Sequence, residues 1–203
     1  MPPYAFIQTL EEFREIDKLD RCIVEQVCRD LRAEMDAGRP VVPVSINFSR
    51  LDFELYDVPA FLDQMSRTYN VPSGLLDVEI TESALAAHLA ELQKNMATLH
   101  QESYSLWLDD FGSGYSSLNV LKDFSFNVLK IDMAFLRGFE NNAKSQPILR
   151  SIVELAKELG MVTLCEGVES REQFEFLTSI GCDRAQGFYF GKPEPAKQLP
   201  AGV

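Results

Sequence analysis

Apolar and polar positions along the chain alternate between the two periods of regular structure. From about residue 11 to 37, Ile16, Leu19, Ile23, Val27 and Leu31 recur at three- and four-residue spacing before Gly38 and Pro40, which predicts one amphipathic helix with a stop. The β-branched run 41–49 predicts a buried strand that delivers Asn47 to its C-terminal end. Asp57 followed by Val58 and Pro59 reads as a capped helix start, and that helix runs to about Tyr69. A second strand over 76–81 brings Glu79 and then Glu82, and behind it Leu85, Leu89, Leu92, Met96 and Leu99 share one helical face.

The order of strand, polar end and helix then recurs. A strand over 104–108 ends in the adjacent carboxylates Asp109 and Asp110, placed in a loop with Gly112 and Gly114, and a weaker helical segment follows over 118–124. Residues 126–131 form the fourth strand, carrying Lys130 and followed by Asp132. A helix over 147–159, with Ile148, Ile152, Leu155 and Leu159 on one face, stops at Gly160. Strand five, 161–167, carries Glu166, with Glu169 just beyond. A helix over 171–180 and a last strand over 183–190, bearing Gln186, precede Gly191, Pro193 and Pro195. About six strands alternate with helices without a linker, so a single domain over 1–203, with 196–203 as a tail, is the expectation.

Such alternation implies an α/β fold with a parallel sheet, either open or closed into a barrel. Asn47, Glu79, Asp109, Lys130, Glu166 and Gln186 all fall at or near C-terminal strand ends. A closed barrel would gather them at one mouth, whereas an open sheet would spread them along an edge, so the barrel explains more of the pattern. Trp107 lies two residues before Asp109 on the same strand face and reads as core filler beneath that mouth, with substrate stacking as the lesser alternative.

Composition narrows the chemistry. At 46% hydrophobic and 25% charged the chain is ordinary globular protein, and 19 basic against 31 acidic residues give a net charge of −12. That balance argues against a surface for polymeric nucleic acid or anionic membrane, and an anionic ligand would need something positive to mediate. The four cysteines form no CxxC pair and there are two histidines, which gives zinc or haem little support and suggests buried, reduced cysteines. The first residues lack a secretory pattern and no run approaches the roughly 18 apolar residues of a membrane span, so a cytoplasmic protein is expected.

Taken singly, Asn47 reads as a turn cap, Glu79 as a surface carboxylate and Gln186 as a partner for backbone groups. Taken together, carboxylates at close range repel unless cations sit between them. Oxygen ligands with an amide and no histidine suit Mg²⁺ or Mn²⁺, and two such ions sharing a carboxylate are the usual device for in-line phosphodiester hydrolysis. Lys130, an ammonium in an apolar run, needs an anionic partner.

The succession SINFS, EITES, LDDFGSGYSSL, LKID, CEGVES and QGFYFGKP closely resembles the EAL family of bacterial cyclic-di-GMP phosphodiesterases, from about Phe6 to Pro195. The resemblance implies a modified (β/α)8 TIM-like barrel that uses Mg²⁺ or Mn²⁺ to open cyclic di-GMP to linear pGpG in second-messenger signalling. It implies Asn47, Glu79, Asp109 and Asp110 as metal ligands. Lys130 would hold the attacking water or its carboxylate neighbours, Glu166 would be the general base, and Gln186 would support the reaction centre. Glu82 would steady the loop of Gly112, Ser113 and Gly114, and Glu169 would support the metal and water shell.

The family's Glu-Ala-Leu strand has no counterpart in the sequence, nor has the substrate-binding Arg that follows it. The barrel is therefore expected to be incomplete, with about six of eight strands and the first two missing, and its two-ion site to lack a ligand. The chain alone is expected to be weakly active or inactive and, with unpaired strand edges, either to associate, a homodimer being one form, or to be marginally stable. An upstream diguanylate-cyclase (GGDEF) or sensor domain would belong to a longer protein. A non-catalytic cyclic-di-GMP-binding or protein-interaction module is the alternative.

Overall fold

The structure is a computed structural model that describes residues 5–86, 89–112, 117–137, 139 and 142–193. They form two compact units, one of 5–80 with 84–106 and one of 81–83 with 107–193.

In the first unit, α1 (Ile7–Glu12) and α2 (Ile16–Asp36) replace the single expected helix, because Arg14 takes a left-handed backbone (φ 54°) between them. Strand β1 (Val44–Phe48) starts three residues later than expected and pairs in parallel with β2 (Leu76–Thr81). Between them lie α3 (Arg50–Leu55) and α4 (Val58–Tyr69). α3 is begun by a reciprocal capping box between Ser49 and Asp52, and α4 by Asp57, whose side chain accepts from the Ala60 amide at 3.0 Å. α5 (Leu89–Gln101) buries Leu92, Met96 and Leu99 as the spacing predicts.

The second unit carries β3 (Ser105–Phe111), β4 (Val128–Ile131), β5 (Val162–Cys165) and the two-residue β6 (Arg184–Ala185), with β3 to β6 paired in sequence order and each pairing parallel. Its helices are α6 (Ser117–Asp123), α7 (Ser145–Glu158) and α8 (Arg171–Ser179), the last begun by a Ser170–Gln173 capping box. Trp107 is buried against Val128 and Leu164, which agrees with core filler. Among the cysteines, Cys28 and Cys165 are buried, Cys182 is half-buried and Cys22 is exposed, so burial of all four does not hold; none is in a disulfide. Among the described residues no helix is long and apolar enough to cross a membrane.

Two helix faces sit one position round from the apolar spacing. α7 buries Ser145, Leu149, Val153 and Ala156, leaving Ile148 and Leu159 exposed. α2 buries Ile16, Asp20, Val24, Cys28 and Leu31, so a carboxyl stands in its buried stripe. Asp20 meets the fully buried Asp52 of α3, whose charge acts on it. Burial first, and then the charge of Asp52, push Asp20 up to about 8, so the pair holds one proton at neutral pH. Asp52 spends its Oδ2 on the Ser49 amide at 2.7 Å and hydroxyl at 2.9 Å, which ties the proton to the start of α3.

The folded chain thus binds the Asp20 proton more tightly than the unfolded chain, whose reference value is 3.8, so this pair makes stability fall as pH rises from about 4 to about 8. Asn at position 20 keeps a donor toward Asp52 without a titrating group. We expect the urea midpoint of Asp20→Asn to fall less than that of the parent chain between pH 5 and 8, and to exceed it at pH 8. Parallel pH profiles for the two proteins would refute the shared proton.

Candidate functional site

The site begins with a mismatch between two strands. β3 and β4 are in register at Trp107–Val128 and Leu108–Leu129, and again at Phe111–Ile131. Two residues, Asp109 and Asp110, therefore stand opposite the single residue Lys130, which is a bulge. The expected loop at the aspartates is instead the last part of a strand. The extra residue is accommodated by Asp110, which adopts φ 55°, a left-handed conformation that aspartate tolerates better than most side chains. Asp109 Oδ1 accepts from the Asp110 amide at 2.9 Å, which holds the bulge from within.

Lys130 is 7% exposed, and its Nζ lies 2.9 Å from Asp109 Oδ1 and 2.9 Å from Glu166 Oε1. Glu166 follows the last residue of β5, and its amide donates to the Ile131 carbonyl at 3.1 Å, which continues the β4–β5 ladder by one step. One ammonium thus joins carboxylates from two strand ends. Asp110 is pushed up, by burial first and then by the charges of Asp109, Asp132 and Glu166, against the opposing pull of Lys130. Four carboxylates act here around one ammonium, an excess of negative charge of the kind a divalent cation relieves, and their oxygens suit a hard ion. Among the described residues no three His, Cys, Asp or Glu side chains come close enough together to hold one.

Beyond the bulge, Gly112 (φ 92°) donates its amide to Glu82 Oε2 at 3.2 Å, and Glu82 is itself buried. The expected contact of Glu82 with this turn is thus present. Ser113 and Gly114 lie outside the described residues. After β6, Gln186 is anchored by its backbone: its amide donates to the Cys165 carbonyl at 2.9 Å and its carbonyl accepts from Val168 at 3.0 Å, while its side chain is exposed. Glu169 is exposed too, with its amide on Gln173 Oε1 at 2.8 Å. In the first unit, Asn47 and Glu79 are register partners on β1 and β2, Glu79 buried and Asn47 exposed.

The sequence reading assigned no role to Asp132, Met133 or Phe135. Asp132 Oδ1 accepts from the Ala134 amide at 2.7 Å and starts a 3-10 helix, Met133–Phe135. An aspartate two residues before a free amide, just past a strand, was the available signal.

These residues lie in a segment that known proteins share. The EAL domain family model matches residues 1–193. The chain belongs to the EAL domain family. It is 34% identical over 198 residues to the signaling protein YkoW of Bacillus subtilis, covering 98% of this chain and 25% of that protein. It is 33% identical over 205 residues to the bifunctional diguanylate cyclase/cyclic di-GMP phosphodiesterase MucR of Pseudomonas aeruginosa, covering 99% of this chain and 29% of MucR. The chain thus spans about a quarter of the length of these curated relatives. The solved PaMucR phosphodiesterase in complex with cyclic di-GMP superposes with a TM-score of 0.90 at 30% identity, covering 98% of this chain and 81% of that one. Solved EAL domains are TIM-like barrels, which is the fold class of this chain, and EAL domains are metal-dependent.

Within this EAL domain the Lys130 bridge yields an ordered expectation. Lys130→Met strands two carboxylates and should cost roughly 3–5 kcal/mol in urea unfolding, whereas Glu166→Gln leaves the ammonium on Asp109 and should cost clearly less. Equal losses for the two variants would show that Lys130 does not serve both partners.

Proposed function

We propose that this EAL domain binds cyclic di-GMP and derives from phosphodiesterases that use Mg²⁺ or Mn²⁺ to hydrolyse it to linear pGpG, with weak activity or none in this chain alone. The observation that carries the reading is the buried ammonium of Lys130 at 2.9 Å from both Asp109 and Glu166, in a chain 33% identical over 205 residues to a protein named as a cyclic di-GMP phosphodiesterase. On the family resemblance, Asn47, Glu79, Asp109 and Asp110 are the proposed metal ligands. Bound metal would supply Lewis acidity toward the phosphodiester and an activated water.

The remaining roles belong to side chains of this chain. Lys130 fixes the orientation of Asp109 and Glu166, and Glu166 receives the proton of the attacking water at its carboxylate. Gln186, anchored through its backbone, places an amide side chain for the water or phosphate. Glu82 holds the turn at Gly112 through the amide, and Glu169 precedes the capping box of α8. A diguanylate-cyclase or sensor domain in the same protein is the partner that the bifunctional relative MucR suggests.

Calorimetry with cyclic di-GMP in Ca²⁺, followed by chromatography of products in Mg²⁺ or Mn²⁺, tests the reading. We expect saturable heat and at most slow pGpG formation, far below an ordinary enzyme rate, that chelator abolishes and Asp109→Asn removes. No heat at high micromolar ligand would overturn it; heat without pGpG would leave a binding module in place of a hydrolase.

A further inference from the structure

We infer that the 3-10 helix Met133–Phe135 is a strut that sets two carboxylate-bearing turns at once, making Phe135 and Met133 positioning residues for Asp110 and Glu166. The inference rests on the reading of these carboxylates as the reaction centre.

The helix has a fixed origin. It leaves β4 directly after Ile131, whose carbonyl already holds the Glu166 amide, and Asp132 pins its first turn through the Ala134 amide at 2.7 Å. Phe135 and Leu136 close it with amides on the Asp132 and Met133 carbonyls at 3.1 and 3.0 Å. From that base it presses on two glycines. A Cβ on Gly112, two residues after Asp110, would overlap the end of the Phe135 ring. A Cβ on Gly167, next to Glu166, would overlap Met133 Cβ and lie 3.3 Å from Met133 Cα. Both glycines have positive φ, 92° and 73°. Each turn is therefore bare of side chain on the side where the helix touches it. Gly112 is also gripped by its amide on Glu82 Oε2 at 3.2 Å, so it is held on two sides. Displacements of a few tenths of an ångström matter at groups that must meet a reacting atom, and packing that locks both turns to one short helix limits such displacements.

The contacts come from different atoms, which permits an internal control. Met133→Gly removes the Cβ that meets Gly167, whereas Met133→Ala retains it. Hydrogen exchange by NMR at the Gly112 and Glu166 amides, referenced to the Leu129 amide in β4, reads each turn without relying on activity. We expect Phe135→Ala to speed exchange at Gly112, and Met133→Gly at Glu166, by about tenfold relative to Leu129, with Met133→Ala like the parent chain. Mn²⁺ affinity, measured by EPR, should fall about tenfold in Phe135→Ala and Met133→Gly and stay at the parent value in Met133→Ala. Exchange that is unchanged at both turns, or that rises in step with Leu129, overturns the strut, as does equal behaviour of Met133→Ala and Met133→Gly. A parent chain that takes up no Mn²⁺ overturns the functional reading instead, and the exchange ratios then decide the strut by themselves.

Discussion

Lys130 cannot be buried without negative charge beside it, and much of the second unit's geometry follows from supplying that charge. Its neighbours on β4, Leu129 and Ile131, are fully buried, so the strand cannot swing the ammonium out to water. The counter-charges must come from the strands on either side. β5 provides Glu166 one residue past its end, but β3 in plain register would set a single aspartate against Lys130. The bulge places two there, Asp109 toward the ammonium and Asp110 turned through a left-handed backbone. Such a bridge does little for net stability, because desolvating three charges offsets most of their attraction. What it secures is position.

The two units meet the problem of crowded carboxyls in different ways. Asp20 and Asp52 meet where burial and each other's charge favour the protonated carboxyl. Asp109 and Glu166 share an ammonium instead. A protonated pair is neutral enough to lie inside helix packing, and it serves to dock α2 on α3. An ammonium-bridged pair keeps its oxygens charged and available as acceptors, which is what metal ligation or proton transfer requires.

Strand and helix alternation was legible because the period changes sharply at each boundary, and five of the six strands were placed to within a few residues; the last shrinks from the expected 183–190 to Arg184–Ala185. The chemistry-bearing residues were legible because charge in or beside an apolar run is conspicuous. Three things were not. Helix faces came out one position round in α2 and α7, since both carry apolar residues over a wide arc and only the facing partner selects the centre of it; in α2 that partner was Asp52, which selects a carboxyl. α3 was missed although Ser49 and Asp52 spell its cap, because the strand before it carried the stronger signal. The bulge was hidden because a pair of aspartates next to a glycine looks the same to pattern whether it forms a turn or a strand end. Only the register of β4 separates the two.

That register also explains how so acidic a chain would receive an anion. Around the bulge, Asp109, Asp110, Asp132 and Glu166 are balanced within the cluster by one lysine whose charge is already divided between two of them. The local field repels phosphate. An anion would meet repulsion there unless a cation first reversed that sign. Asp110 is held above the ordinary carboxylate range by burial first and then by the charges of Asp109, Asp132 and Glu166. A cation beside it would relieve that repulsion, so the bulge that brings two aspartates to one lysine also concentrates the charge such an ion would answer.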